Sequence, residues 1–479
     1  MSGRDTASAM PRLTQAALPP PDVVRPTYDR AALRPGIVHI GLGAFHRAHQ
    51  AVYTDAALAA HFGPWGIIGV NLRSVEGTRA LSEQDGLYSV VTRSADGDRV
   101  QVVGALVEVL AAANQRAEVL DRLADAATRI VTLTVTEKAY GIDPKTGGLD
   151  LDHPAIAADL AAPTEPVGVI GLLVEGLARR YAAGIPPFTV LCCDNLPENG
   201  HIVRRLVLAM AERRDPAIAG WIAALGAFPS SMVDRIVPAA TDETRRRAAE
   251  LLGHDDQMAL ETERFIQWVV EDRFVDGRPA WEAGGALFVA DVVPYEQMKL
   301  RMLNGAHSLV AYLGQLRGLP YVKDVMAVPA YAAIVRRHMG SAARTLGPVP
   351  GIDLDTYAEQ LIERFANPTI LHRTAQIAMD GSQKLPQRIL SPAADARRAG
   401  RSAASFAYVV ALWIAFVRQS TSLNDPRQDE LLAAAAQVDA ADASASFFRI
   451  PGLFPAALIA DRPWRDTVNR HLAELASEH

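Results

Sequence analysis

Short apolar runs punctuate the first half of the chain. Ile37-Val38-His39-Ile40 is the first and stops at Gly41. Others are Trp65 to Val70, Val102 to Leu110, Arg129 to Val135 and Phe188 to Cys193. They are largely β-branched and apolar on both faces, the pattern of central strands in a covered parallel sheet. Stretches of helical period lie between several of them, such as Asn114 to Thr128 and Gly168 to Ala183, with Asn114 suited to an N-cap. This alternation predicts a doubly wound α/β domain. After about Val293 the strand-like runs cease. Helical patterns then dominate: Tyr295 to Leu316, Tyr357 to Phe365, Ser402 to Gln419, Gln428 to Ala436 and Trp464 to Ala476. The expected organisation is a loosely held arm over 1–35, an α/β domain over 36–290 and a mainly helical domain over 291–479.

Composition narrows the class. A chain of 479 residues exceeds one ordinary core, in keeping with two large domains. Apolar residues make up 49% and charged residues 21%, the proportions of a soluble globular protein rather than a disordered one. The net charge is −6 with both signs interspersed, so no basic block exists to meet a nucleic-acid backbone. The two cysteines, Cys192 and Cys193, are adjacent, which excludes a disulfide framework and a four-cysteine zinc site. A reducing, cytoplasmic setting fits. Arg4 and Arg12 near the start accompany no apolar segment, so no secretory signal is expected. Ala403 to Val417, the most apolar helix-like run, falls short of the ~20 residues that span a bilayer. Oligomeric state is not set by these features, and a monomer is compatible with them.

The string Gly41-Leu42-Gly43-Ala44-Phe45-His46 follows the first strand and opens a helix carrying Arg47 and His49. Glycines here let a backbone approach a pyrophosphate, and a helix N-terminus offers unpaired N–H groups and a favourable dipole. Gly41, Gly43, Ala44, Phe45 and His46 are therefore candidate cofactor contacts. His46 replaces the usual third glycine, and the string equally suits a tight strand-to-helix turn. After the second strand, Glu76 suits the ribose hydroxyls of NAD, whereas Arg73 keeps NADP open. His46 and His49 lack a suitably spaced third ligand, so no metal is expected.

Pro294 to Ser308 is the most informative stretch. Pro294 suits a first helical turn. At ~100° per residue, Glu296 and His307 flank Lys299 at roughly 60° and 80°, with Asn304 further round beside His307. Asn and Gly are poor mid-helix choices, so Asn304-Gly305 on an otherwise apolar helix argues for chemistry. A lysine held among such groups at a domain junction can lose its charge by desolvation and act as a general base. An amphipathic helix with solvated charges is the alternative. A second polar cluster, Asp194 to His201, sits at the end of the fifth run, where open α/β sheets bind ligands. Its Asn195 can donate to a developing alkoxide or can simply form a turn.

These stretches together resemble the polyol-specific long-chain dehydrogenases/reductases, the mannitol dehydrogenase family. The matching segments are Gly41 to Gln50, Thr134 to Lys138, Cys193 to Gly200, Ser231 to Ile236, Gln267 to Asp272, Tyr295 to His307 and Asp380 to Lys384. The resemblance covers about residues 30 to 390. It implies a Rossmann-type N-terminal domain, a mostly helical C-terminal domain, and an active site between them. It implies that Lys299 is the general base, that Asn195 and Asn304 form an oxyanion hole, and that His307 bonds the substrate. Glu296 would lie on a proton path to solvent. Glu76 favours NAD, although Val75 stands where a second carboxylate can precede it. No metal is implied. The strings around Met232 to Thr241 and Arg373 to Arg388 look more like fructuronate reductase (mannonate oxidoreductase) than mannitol 2-dehydrogenase, which places an arginine at the position of Gln376. Asp234, Arg373 and Lys384 are candidate substrate contacts, and Arg373, Lys384 and Arg388 could meet a uronate carboxylate. The expected substrate is thus D-mannonate or D-fructuronate, with mannitol, arabinitol or another polyol as the alternative. A non-catalytic dinucleotide-binding sensor is the alternative of a different class.

Overall fold

A computed structural model describes residues 10–20, 23–437 and 442–477. The chain divides between Val292 and Val293 into two compact units. Residues 1–9 and 21–22 of the expected arm lie outside the described residues.

Among its described residues the first unit contains eleven strands: β1 (Pro35–Ile40), β2 (Gly66–Asn71), β3 (Tyr88–Arg93), β4 (Arg99–Val103), β5 (Leu106–Ala111), β6 (Ile130–Leu133), β7 (Thr189–Cys192), β8 (Ser231–Asp234), β9 (Leu260–Glu263), β10 (Gln267–Glu271) and β11 (Leu287–Val289). The principal sheet has the order β5-β2-β1-β6-β7. Its pairings are all parallel. The chain builds outward from β1 through β2 to β5, then resumes on the other side with β6 and β7. The direction therefore reverses between β1 and β6, and the crevice at their carboxyl ends is where such sheets bind ligands. Both faces are covered, as the apolar runs require. Val38, Val131 and Val190 pack in one core with the helix Val169–Ala183, and Ile37, Ile67 and Ile130 in another with the helix Gln50–Ala60. Two three-stranded sheets, β11-β10-β8 and β4-β3-β9, complete the unit. The apolar-run reading missed these, since β8 and β9 are four-residue strands carrying Ser, Thr, Asp and Glu.

Three local expectations need correction. Val102 to Leu110 is not one strand. The chain turns at Gly104-Ala105, so that β4 and β5 belong to different sheets. Asp55 accepts the Gly104 N–H at 2.9 Å, and Arg30 donates to the Gly104 carbonyl at 2.8 Å. A Cβ on Gly104 would meet Pro26 Cγ at 2.5 Å. Asn114 is not the helix cap. Gln115 occupies that position before Arg116–Ala124, and its side-chain oxygen accepts the Ala111 N–H at 3.1 Å instead of capping. The arm over 1–35 is not loosely held in its described part. Leu13 is fully buried and its N–H bonds the Asp255 carbonyl at 2.9 Å, while Arg12 pairs with the Asp255 carboxylate.

Among its described residues the second unit is helical and has no strand, as the sequence pattern suggests. Its first helix runs unbroken from Val293 to Leu316, with one π turn over Lys299–Asn304 inserted between α-helical ends. A second π turn, Pro386–Leu390, packs against the first. Gly305 permits the approach, since a Cβ there would meet the Arg388 carbonyl at 3.2 Å and His338 Nε2 at 3.3 Å. Among the described residues no helix is long and apolar enough to cross a membrane.

Candidate active site

In the first unit the candidate residues gather at the carboxyl ends of β1, β2, β6 and β7. Gly41 ends β1 with a φ of +99°, a conformation that L side chains rarely adopt. A Cβ there would lie 2.2 Å from the Thr134 carbonyl oxygen. Gly43 is different. Its backbone is extended, and the nearest atom to an added methyl would be the Gly41 carbonyl oxygen at 3.7 Å. The protein itself therefore leaves open space beside Gly43, the kind of cradle that a pyrophosphate would fill. Gly43 caps the short helix Ala44–Ala48, so the N–H groups of Ala44, Phe45 and His46 have no acceptor within the helix. This set fits a dinucleotide phosphate.

The His46 side chain turns into the core, so that of this residue the backbone N–H is what the loop offers. It is 1% exposed and stacks on His39 with ring centroids 3.3 Å apart. His39 is fully committed beneath the loop. Thr134 Oγ donates to the Gly41 carbonyl at 2.9 Å, so it accepts from His39 Nε2–H at 3.0 Å. Nδ1 is left to accept the Thr132 hydroxyl at 2.8 Å. Burial accordingly lowers the His39 pKa to about 3. His49 stands at the break after Ala48 and bonds the Gln267 carbonyl at 2.9 Å, within an aromatic cluster of Phe45, Tyr53 and Trp268. Both histidines thus belong to the support of the loop.

After β2, Asn71 Oδ1 accepts the N–H groups of Arg73 and Ser74 at 3.0 and 2.8 Å. Ser74 caps the helix Val75–Glu83. Arg73 and Glu76 are both exposed there, Glu76 in the first helical turn. A carboxylate and a guanidinium are therefore both within the region expected to meet a ribose.

Asn195 stands exposed on the loop after β7, and a clamp that sequence reasoning missed fixes that loop. The Asp194 carboxylate accepts the N–H groups of Val135 and Thr136 at 2.9 and 3.0 Å and the Tyr140 hydroxyl at 2.6 Å. It thereby ties the ends of β6 and β7 together. Burial raises the Asp194 pKa, and the three donors oppose that shift. Asn199 adds a second tie, donating to the Asp194 and Ser231 carbonyls and accepting the Ser231 N–H. Thr136 holds a φ of +75° and Glu198 one of +45°. Strained non-glycine backbone of this kind persists where surrounding bonds enforce it. The string Asp194 to Gly200 carried the signal, but the partners lie 54 to 59 residues earlier in the chain. Asp234 is buried at the end of β8, beside Arg235, which bonds the Ala48 and Glu263 carbonyls.

In the second unit, Lys299 opens the π turn and Asn304 closes it. On an α-helix the two would stand roughly 140° apart. A π turn bonds i to i+5 and so brings residue i+5 back toward the face of residue i. The angular reading from sequence assumed a uniform α-helix and overstated their separation. Glu296 lies one turn earlier and is half-buried, as are Lys299 and Asn304. Arg301 anchors the turn from behind, donating to Asp395 Oδ2 at 2.7 Å and to the Thr345 carbonyl at 2.9 Å.

His307 is 8% exposed and stacks on Phe365 at 4.4 Å, with His372 edge-on at 5.2 Å. Its pKa falls well below the ordinary value, first through burial and then through the positive charges of His372, Arg364, Arg388 and Lys299. Among the described residues His307 Nε2 has no hydrogen-bond partner. The sequence did not reveal Arg364, Phe365 and His372 as its surroundings, because a helix and a loop more than fifty residues away supply them. Arg373 is exposed, 5.9 Å from the Tyr321 ring centroid. Lys384 bonds the Ile377 carbonyl at 3.3 Å and lies 3.9 Å from Asp380. Neither is among the charges that press hardest on His307.

Residues 35–283 match the mannitol dehydrogenase Rossmann domain and residues 291–452 the mannitol dehydrogenase C-terminal domain. The chain is 45% identical over 443 residues to the D-mannonate oxidoreductase of Escherichia coli (strain K12), covering 90% of this chain and 91% of that one. It is 50% identical over 376 residues to the uncharacterized oxidoreductase YeiQ of the same strain, covering 78% and 77%. Among solved structures it is similar to Pseudomonas fluorescens mannitol 2-dehydrogenase in its ternary complex with NAD and D-mannitol, with a TM-score of 0.82, 37% identity and coverage of 98% and 97%. With a parallel sheet that reverses direction at a glycine loop, a helical unit that presents Lys299, Asn304 and His307, and a family match over each, the chain belongs to the mannitol dehydrogenase family.

Proposed function

We propose that the chain is an NAD(H)-dependent oxidoreductase that interconverts the secondary alcohol and the ketone of an open-chain sugar acid, with D-mannonate and D-fructuronate as the pair. The observation that carries the choice of an acid is the setting of His307, where the guanidinium groups of Arg364 and Arg388 favour an anion. The likeness to a D-mannonate oxidoreductase along 90% of the chain supports the same choice.

NAD, when bound, supplies the acceptor for a hydride, and NADH the donor. Gly41, Gly43 and the first turn of Ala44–Ala48 would hold its phosphates, and Glu76 a ribose, with Arg73 as the group that would admit NADP. In the oxidative direction neutral Lys299 removes the hydroxyl proton of the substrate, and Glu296 passes it toward solvent. The amides of Asn195 and Asn304 stabilise the alkoxide as it forms. His307, kept uncharged by burial and by its cationic neighbours, orients the substrate through a hydrogen bond at Nε2. In reduction, protonated Lys299 donates to the carbonyl oxygen. No step calls for a metal ion.

A second reading, mannitol 2-dehydrogenase acting on D-mannitol and D-fructose, is favoured by the likeness to the Pseudomonas fluorescens enzyme over 98% of the chain. Oxidation of NADH and NADPH, followed by the absorbance of the reduced nicotinamide with D-fructuronate, D-tagaturonate and D-fructose, separates the two. The acid reading requires the highest kcat/KM with fructuronate and NADH. Faster turnover of fructose would replace it with the neutral-polyol reading, and no turnover of any ketone would reject both.

A further inference from the structure

Arg301 and Arg180, both buried, show one standard of a well-satisfied guanidinium. Arg301 meets a carboxylate at 2.7 Å and a carbonyl at 2.9 Å. Arg180 donates to the carbonyls of Pro186, Asp125, Thr128 and Leu123 at 2.6 to 3.3 Å. Arg388 departs from that standard. It projects from the π turn Pro386–Leu390 toward the helix of Lys299 and His307. Among the described residues its acceptors are the Asn304 carbonyl and Ser308 Oγ, both at 3.5 Å, the outer edge of a hydrogen bond. Among the described residues no carboxylate lies within ion-pair distance of it. Arg388 repels the Lys384 ammonium and opposes protonation of His307. A half-buried cation without a counter-charge is costly, and the ordinary remedy is an anion. Here that anion has to come from the ligand.

The other candidates for that task are already engaged. Lys384 has Asp380 and the Ile377 carbonyl. Arg373 is exposed and lies near the Tyr321 ring. Arg388, half-buried like Lys384, is the one of the three that combines an unfilled planar fork with contact to the helix that carries the base. The position also suits an acid. In D-mannonate the carboxylate stands four carbons from the carbinol that becomes the ketone of fructuronate. The group that reads the carboxylate must then stand apart from Lys299. Asn304 and Ser308 place Arg388 one to three turns further along the same helix.

We propose that Arg388 is the specificity-determining residue of the site, receiving the carboxylate of an open-chain sugar acid and so selecting it over the uncharged polyol. The proposal rests on the reading of the chain as a dehydrogenase of sugar acids or polyols.

Calorimetric titration of D-mannonate and of its uncharged amide, D-mannonamide, into the NADH-loaded protein tests it. Wild type is expected to bind the acid at least tenfold more tightly than the amide. In Arg388→Gln the acid should weaken about 100-fold and the amide less than threefold, with Arg388→Lys intermediate. Should Arg388→Gln not fold, the wild-type comparison and Arg388→Lys decide. Equal binding of acid and amide by wild type, no binding of the acid, or an undiminished preference in Arg388→Gln overturns the proposal. Turnover with fructuronate and fructose is measured alongside. A charge-dependent binding pattern without turnover would sink the proposed reaction and keep the anion site. Turnover of fructuronate undiminished in Arg388→Gln would sink the anion site and keep the reaction.

Discussion

The imidazoles of His39 and His46 lie face to face, centroids 3.3 Å apart and 12° from parallel, directly beneath the glycine loop. Two like rings stacked in a dry core are stable only while both are neutral. Burial holds the His39 pKa near 3 and the His46 pKa well below its ordinary value. Between about pH 3 and 6.5 the unfolded chain therefore binds protons that the folded loop does not, so the stability present above pH 6.5 is lost as pH falls. Asp55, raised to about 6 by burial, works in the opposite sense between pH 3.8 and 6. The histidine contribution is thus read as a difference. The stability gap between wild type and His39→Gln, from urea unfolding at pH 7.5, 6.0 and 5.0, should narrow by about 1.4 kcal/mol per pH unit below 6.5. A gap that stays constant across that range would count against the neutral stack.

The two glycines of the loop should fail in different ways. Gly41→Ala forces a side chain into a φ of +99° and onto the Thr134 carbonyl at 2.2 Å. It should destabilise the protein by about 3 kcal/mol or more. Gly43→Ala meets no protein atom closer than 3.7 Å, so its stability should stay within about 0.5 kcal/mol of wild type. NADH affinity, followed by fluorescence, should nevertheless drop about tenfold or more in Gly43→Ala, because the methyl occupies the space left for the phosphates. Unchanged NADH binding in that variant would remove the cofactor from the loop.

The fold class and the main strands were legible because β1, β2, β6 and β7 are buried on both faces, which writes a continuous apolar run into the chain. The strands β8 and β9 were not legible, since half or more of the residues in each are polar, and some make specific bonds, as Ser231 does with Asn199 and the Cys192 carbonyl. The residues of the candidate site were named by their strings, but their setting was hidden. Nothing local to Asp194 reveals that Tyr140 will donate to it. The π turn at Lys299–Asn304 leaves no mark in hydrophobic period over so short a length. The stacking of His46 on His39 was not legible, because a string cannot show which way a ring turns after a tight loop.

Lys299 is the residue on which the proposed chemistry depends. General acid–base groups contribute about 10²–10⁴-fold to rate. Lys299→Ala should therefore lower kcat by about that factor while NADH affinity, a property of the first unit's loop, is kept. Lys299→Arg should not restore turnover, since guanidinium does not give up its proton near neutral pH. Wild-type rates in either variant would reject the base.

Asp395 offers a separate test of whether the π turn matters as a geometry. Its carboxylate touches nothing proposed to react, but it holds Arg301, two residues from Lys299, at 2.7 Å. Arg301 is 9% exposed, so Asp395→Ala leaves a buried guanidinium with the Thr345 carbonyl as its remaining partner there. Breaking a buried pair from one side costs about 3–5 kcal/mol, and the partial exposure of Asp395 argues for the lower end. If the turn merely tolerates its shape, the loss should appear in Tm alone. If the turn positions Lys299 against Asn304, kcat should fall well below wild type at temperatures where the variant is fully folded, with NADH affinity unchanged and Asp395→Glu recovering part of the rate. An Asp395→Ala protein with lowered Tm and undiminished kcat would show that the anchor serves the fold and not the site.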